Sequence, residues 1–256
     1  MKGNWTVIPD ISNMDEYMTL VSEYGAAFEY NDFFDPSVYE DKDETERRIA
    51  KYLEYDRDRS RDTLHGVFYD IAPISQDSVI RKHCRMLMRQ SMDIAGRLKC
   101  KGVVFHTGLL AGLNTEGYLS GWLSGMTAFL HELASEYRGL YIYMENTFEN
   151  SPVIFDALMD NLRDEPNVAL CLDYAHAALT STPAGQWFEE MAPYIKHMHL
   201  NDNDLISDLH LAAGDGNIDY TELEPLIEKY GVQTQILLEV NGIEKARRSL
   251  EYMSTL

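Results

Sequence analysis

Basic residues are scarce in this chain: 22 Lys and Arg stand against 42 Asp and Glu, a formal net charge of -20. A partner gripped by its phosphate backbone is therefore not expected, because sequence-independent nucleic-acid binding rests on Lys and Arg neutralising phosphates. Cysteine is scarcer still. Cys84, Cys100 and Cys171 lie far apart with no C-x-x-C spacing, which argues against a disulfide framework or a thiolate zinc site and fits a reducing cytoplasm. No apolar run approaches the roughly 20 residues that span a bilayer, so no membrane partner is expected. The opening stretch MKGNWTVIPD is not read as a signal peptide. A low-complexity linker, a Pro- or Gly-rich hinge and a sharp shift in composition are all missing too. Length alone permits one domain or two, but without such a boundary residues 1–256 are read as one domain, close to the about 250 residues of a single α/β barrel.

What the chain does have is alternation. Short β-branched or apolar runs at 5–8, 26–30, 63–68, 102–106, 140–145, 168–173, 195–199 and 234–239 are separated by longer stretches with helical spacing. Ser12 and Asp15 read as the cap of the first helix and Gly25 as its end, while the charged run 43–56 reads as a helix with a solvated face. Ser151 with Pro152, and Thr182 with Pro183, read as caps followed by a first-turn proline, and Asp219 with Glu222 as the cap of the helix ending at Gly231. Strand and helix in alternation imply a parallel sheet. Eight such units make the expected fold class α/β, a single (β/α)8 TIM barrel, with an open doubly wound sheet as the runner-up.

Ionisable residues gather at the ends of those strands. Glu29, His65, His106, Glu145, Asp173, His199 and Glu239 each fall at or near a carboxyl end, and in a barrel those ends share one rim. His176, Asp208 and His210 follow in the loops after strands six and seven. In a strand at 195–200 the side chains alternate, so His197 shares a face with His199 one layer deeper, in a supporting position. His83 and His131 sit inside helices and read as ordinary residues. Carboxylates gathered without a cation repel one another and raise their pKa values, so a metal is the economical account of the set. The loops 31–41, 69–77, 107–117, 146–152, 174–185 and 200–219 contain no Lys or Arg. They offer Phe33, Phe34, Tyr39, Tyr69, Phe148 and Tyr174 for stacking on a sugar ring.

The same residues carry a resemblance. H-T-G at His106, E-N-T at Glu145, L-D-Y-A-H around Asp173 and His176, M-H-L-N-D at His199 and D-x-H-x-x-x-G-x-G from Asp208 to Gly216 are similar to motifs of the xylose isomerase-like superfamily of barrels. The resemblance runs from about Ala26 to Glu239, and the superfamily holds sugar isomerases and epimerases as well as the endonuclease IV type of DNA-repair enzyme. From the isomerase members it implies one divalent ion on Glu145, Asp173, His199 and Glu239. From the endonuclease IV type it implies two more, one on His65, His106 and Glu145 and one on His176, Asp208 and His210, with Glu145 bridging. All nine positions are filled. One to three ions of Mn, Zn, Mg or Co are therefore expected.

Charge counting separates the two activities. Glu145, Asp173, Asp208 and Glu239 carry four negative charges, so two divalent ions reach neutrality and three leave plus two. Three ions favour an anionic phosphodiester and hydrolysis; one or two suit a neutral sugar, as do the loops without cations. The function expected is a divalent-metal-dependent sugar isomerase or epimerase, with an endonuclease IV-type trinuclear zinc phosphodiesterase as the alternative. By resemblance, Glu145 and Glu239 exchange a proton next to a carbonyl through an ene-diolate, and His176 hydrogen-bonds the substrate oxygen. Glu29, Phe34, Tyr69 and Phe148 are the expected substrate contacts. Epimerases of this type resemble one another in an Arg shortly after the quartet histidine; Leu205 and Ile206 stand there instead. A lyase on a similar enolate and a non-catalytic sugar-binding barrel are the remaining alternatives, and a homo-oligomer fits the resemblance.

Overall fold

The computed structural model describes residues 4–110 and 112–256. Residues 1–3, at the start of the stretch judged not to be a signal peptide, and Ala111, within the loop 107–117, lie outside the described residues. Strands β1 (Trp5–Val7), β2 (Ala27–Tyr30), β3 (Thr63–His65), β4 (Gly102–His106), β5 (Tyr141–Glu145), β6 (Val168–Asp173), β7 (Ile195–Leu200) and β8 (Gln235–Leu238) pair in sequence order. Parallel pairing of β1 with β8 closes the barrel, which rules out the open sheet. The helices are α1 (Met14–Tyr24), α2 (Pro36–Tyr39), α3 (Lys42–Leu53), α4 (Ser78–Leu98), α5 (Glu116–Glu136), α6 (Val153–Asn161), α7 (Tyr174–Ala178), α8 (Ala184–Met191), α9 (Leu223–Tyr230) and α10 (Ile243–Met253). Among the described residues no helix is long and apolar enough to cross a membrane.

The period of two along each strand sorts its residues into two cores. Val103, Phe105, Ile142, Met144, Leu170, Leu172, Met198 and Leu200 face outward and join the helix residues Leu87, Met92, Leu130, Leu158 and Trp187 in the main apolar cluster. The inward residues Val104, Tyr143, Ala169 and Cys171 make a separate small cluster inside the barrel. One inward step further toward the carboxyl ends, the same strands deliver His106, Glu145 and Asp173, and β7 delivers His199. Register sets them side by side: His106 is opposite Glu145, and Asp173 is opposite His199.

Several local expectations are corrected. Ser12 does not cap α1; its hydroxyl donates to Asp10, and the cap position belongs to Asn13, whose side chain donates its Nδ2–H to Glu16 and accepts no backbone N–H. Pro152 and Pro183 themselves occupy the caps of α6 and α8, and the Thr182 hydroxyl instead reaches the Asn150 carbonyl. Asp219 does cap, through Thr221 N–H, but it opens a short 3-10 turn, Tyr220–Glu222, and Glu222 takes no part. Strand β3 stops at His65 instead of running to 68; Gly66 still donates to the Val104 carbonyl at 2.8 Å and packs so closely on the Phe105 ring that a Cβ would overlap it. The charged helix ends at Leu53 rather than 56 and does have a mostly exposed charged face, with Lys42, Asp43, Glu46 and Arg47 in solvent; Arg48 is the exception, largely covered and ion-paired with Asp32 and Glu44.

The loop from β7 to α9 is tied back to the barrel by Asp202. Its carboxylate accepts the N–H groups of Asn203, Gly214 and Ile218 at 2.9, 2.9 and 3.1 Å. Gly214 is left-handed, with φ of 89°, and Gly216 lies so near Asp202 and Asn203 that a Cβ would overlap both. The two glycines of the D-x-H-x-x-x-G-x-G motif thus anchor the loop that carries Asp208 and His210. Gly216→Ala is expected to cost about 1–3 kcal/mol in chemical denaturation, the range for forcing a group into a packed site. Unchanged stability would mean that Asp202 does not hold this loop.

Candidate metal centre

Nine ionisable side chains converge at the carboxyl end of the barrel. Ligand atoms of Glu145, Asp173, His199 and Glu239 all lie within 4.8 Å of one another, and so do those of His65, His106 and Glu145. His199 Nδ1 stands 3.3 Å from Glu145 Oε1 and 3.5 Å from Glu239 Oε2. The Nε2 atoms of His65 and His106 are each 3.4 Å from the other Glu145 oxygen. Asp208 Oδ2 sits between His176 Nε2 at 3.2 Å and His210 Nε2 at 3.0 Å.

The donor set fits a divalent ion, and the observation that says so is a group of orphaned polar atoms. Both Glu145 oxygens, Asp173 Oδ2, His199 Nδ1 and Glu239 Oε2 are buried without a hydrogen-bond partner. Leaving such groups unpaired costs about 1–3 kcal/mol each, more when charged. Meanwhile the second nitrogen of most of the imidazoles is already engaged: His65 Nδ1 with Gly66 O at 3.0 Å, His176 Nδ1 with Asn146 O at 2.9 Å and His210 Nδ1 with Glu239 O at 3.0 Å. Such contacts fix the ring and leave the remaining nitrogen for a metal, as in metal sites generally. His210 holds this pose at φ of 46°, a left-handed conformation that only a few per cent of non-glycine residues adopt and that concentrates at functional sites.

Glu29 is the correction of most consequence. Expected to touch substrate, it is instead fully buried beneath the centre, away from the cavity lining. Its Oε2 accepts from Thr63 Oγ1 at 2.6 Å and pairs with His197 Nε2 at 2.8 Å, while its Oε1 faces His199 Nε2 at 3.1 Å. With Nε2 turned to Glu29, His199 presents Nδ1 to Glu145 and Glu239. Glu29 is therefore placed behind His199 and not against the cavity, with His197 beside it from the layer below, as the alternation along β7 implies.

The electrostatics follow from burial. Burial pushes Asp173 up to about 7, against the pull of His176 and with the repulsion of Glu239 and Glu145 added. Burial also raises Glu145, but His199 and His106 outweigh it and hold that carboxyl well below its ordinary range. For His210 burial acts downward, and the Asp208 hydrogen bond with the Glu239 charge lifts it to about 9. Without a metal, the raised imidazoles of His65, His176, His199 and His210 offset the buried carboxylates, and a proton on Asp173 removes one negative charge.

Above these groups opens a cavity of about 610 Å³, onto which His65, His106, His176, Asp208, His210 and Glu239 face. Glu145, Asp173 and His199 are buried beneath it. Phe34, Tyr69 and Phe148 line it, Tyr69 and Phe148 being 56% and 70% exposed. Phe33 and Tyr174 are buried in the apolar core, and Tyr39 packs at its edge, so these three do not reach the cavity. Phe68 is the aromatic the strand pattern concealed: beyond Gly66 it leaves the sheet, with its ring 4.4 Å from Phe34 and 5.2 Å from His106 between centroids. Asn31, Thr147 and Asn241 also line the cavity, and nothing in their residue types distinguishes them from other loop polar groups. Leu205 and Ile206 are exposed and stand outside it.

The chain belongs to the xylose isomerase-like TIM barrel family, whose description matches residues 18–256. Among relatives, the uncharacterized protein MJ1311 of Methanocaldococcus jannaschii is 28% identical over 214 residues, 79% of this chain and 73% of that one. Among solved structures, a D-tagatose 3-epimerase-like protein is similar over 100% of this chain and 96% of its own, with a TM-score of 0.79 and 24% identity. The TTHB071 protein of Thermus thermophilus, soaked with ZnCl2, is similar over 98% of this chain and 97% of its own, with a TM-score of 0.79 and 22% identity.

Two tests follow from the centre. Asp173 titrates at about 7 when folded against 3.8 for the free side chain, so the metal-free fold binds its proton more tightly than the unfolded chain does. That contribution to stability is present below 3.8 and is lost as pH rises through about 7. His176, raised well above 6.5 by Asp173 and Asp208 against burial, acts in the same sense. Added divalent metal should therefore raise Tm more at about pH 8 than at about pH 5; an equal rise at both would contradict the assignment. Second, Glu29→Gln should weaken metal binding about 10–100-fold in a chelator competition while the protein stays folded. Unaltered affinity would remove Glu29 from the positioning role.

Proposed function

We propose that this protein is a divalent-metal-dependent isomerase or epimerase that moves a proton next to the carbonyl of a small neutral sugar. The observation that carries the reading is the pair Glu145 and Glu239, facing one another across His199 Nδ1 under an aromatic-walled cavity whose described lining contains no Lys or Arg. Likeness in fold to a D-tagatose 3-epimerase-like protein supports it.

Glu145, Asp173, His199 and Glu239 would hold the ion. When bound, it would polarise a carbonyl and the neighbouring hydroxyl and so acidify the C–H beside them. Each glutamate has two oxygens, so one is left to carry a proton. Glu239, which faces the cavity, accepts the proton from carbon and passes it to solvent, and Glu145, once it has taken a proton from solvent, returns one; the substrate passes through an ene-diolate between the two transfers. Return to the same carbon from the opposite side gives epimerisation; return to its neighbour, with the hydroxyl proton moving from one oxygen to the other, gives isomerisation. His176 Nε2 hydrogen-bonds the substrate oxygen. Phe34, Phe68, Tyr69 and Phe148 offer ring faces to the sugar and exclude water.

Trinuclear phosphodiester hydrolysis is the second reading, favoured by the clusters His65–His106–Glu145 and His176–Asp208–His210 and weakened by a described cavity lining that offers a phosphate backbone no Lys or Arg. We expect no nucleic-acid partner. A panel of ketoses in deuterated water, with metal added, should show solvent deuterium entering the carbon next to the carbonyl. Glu145→Ala and Glu239→Ala should abolish that exchange, and His199→Ala should cost far more than His65→Ala or His210→Ala. Efficient nicking of an abasic duplex by the same preparation, with no deuterium in any sugar and equal losses from all three histidine variants, would promote the hydrolase.

A further inference from the structure

Beside the metal-facing cavity lies a second one of about 360 Å³, lined by Asp10, Ile11, Tyr17, Asp32, Arg48 and Gly242. Ile8, Asn31 and Asn241 line both, so the two cavities are neighbours that meet at these residues. Asn31 and Asp32 line the second, and the Oδ1 atom of each is covered and has no hydrogen-bond partner. The other Asp32 oxygen is taken by Arg48 and by the Tyr52 hydroxyl, each at 3.0 Å.

Charge narrows the chemistry of the occupant. Arg48 is the one Lys or Arg in the two linings among the described residues, and Asp32 with Glu44 already neutralises it. A phosphate or carboxylate would meet Asp10 and Asp32 with no cation to spare. Hydroxyl donors suit the polar side chains of Asp10, Asn31 and Asp32 in the lining, and the apolar side chains of Ile8 and Ile11 suit the C–H faces of a sugar ring.

We propose that the second cavity is a subsite for a further sugar ring, so that the substrate is a glycoside or disaccharide with its keto-bearing ring over the metal centre. The inference rests on the sugar reading of the first cavity and adds the size of the substrate to it. Asn31 stands at the junction and is the residue that distinguishes a two-ring from a one-ring ligand.

The test is calorimetric binding to the manganese-incubated protein of trehalose, sucrose, maltose and cellobiose against glucose and fructose. At least one disaccharide should bind about ten-fold more tightly than either monosaccharide, the effect of one or two net hydrogen bonds. Ile11→Trp, which fills the second cavity, should erase that margin, and Asn31→Ala, which leaves the cavity open, should narrow it. Circular dichroism checks that both variants fold. Equal affinity for the two sizes, or a margin that survives both substitutions, overturns the subsite. Deuterium exchange into ketoses and keto-disaccharides keeps the two claims apart: exchange into neither sinks the isomerase reading, whereas equally fast exchange into both sinks the subsite alone.

Discussion

Glu145, Asp173 and Glu239 are buried within a few ångströms of one another, and the repulsion among them is the constraint that the rest of the upper barrel answers. Three carboxylates taken out of water together cannot all ionise unless positive charge is supplied at close range. Among the described residues no Lys or Arg lines the cavity above them. Imidazoles do the balancing instead, and their orientation is controlled from behind, by backbone carbonyls for His65, His176 and His210 and by Glu29 for His199. A structure needing only a stable ion-pair network would have no reason to leave Glu145 without a single hydrogen-bond partner. A divalent ion bound there would supply the missing charge and the missing partners together.

That centre depends in turn on the apolar part of the fold. The inward cluster of Val104, Tyr143, Ala169 and Cys171 fills the barrel below it, and the parallel register then sets His106 against Glu145 and Asp173 against His199. Asp173 has a further duty, since its Oδ1 accepts the His176 N–H at 2.6 Å and caps α7, so one side chain fixes both its own pose and that of the next histidine. Asp202 ties the following loop to the barrel and so places Asp208 and His210.

Much of this was legible in the residues because a strand has a period of two and barrel sites sit at strand ends. His199, Asp173 and Glu145 are inward by simple alternation, and eight strand-like runs were enough to expect closure. Glu29 met the same rule and still misled: alternation puts it inside the barrel, but whether it faces substrate or a histidine depends on how deep its strand starts relative to β7, which is a matter of register. Phe68 was hidden because the run 63–68 reads as one strand, whereas β3 ends at His65 and the chain turns toward the cavity beyond it. Arg48 looked like one more charge on a solvated helix, and only the position of Asp32 shows that it is covered. The caps at Ser12, Ser151 and Thr182 failed for a local reason, as Asp10 competes for one hydroxyl and prolines occupy the other two cap positions.

The central claim is that the buried carboxylates and His199 are metal ligands. The most direct measurement is anomalous diffraction from crystals of the protein grown with manganese. The expected result is a peak bonded to Glu145, Asp173, His199 and Glu239, with His199 bound through Nδ1. Crystals in which those four side chains keep their positions around ordered water alone, with manganese in excess, would contradict it.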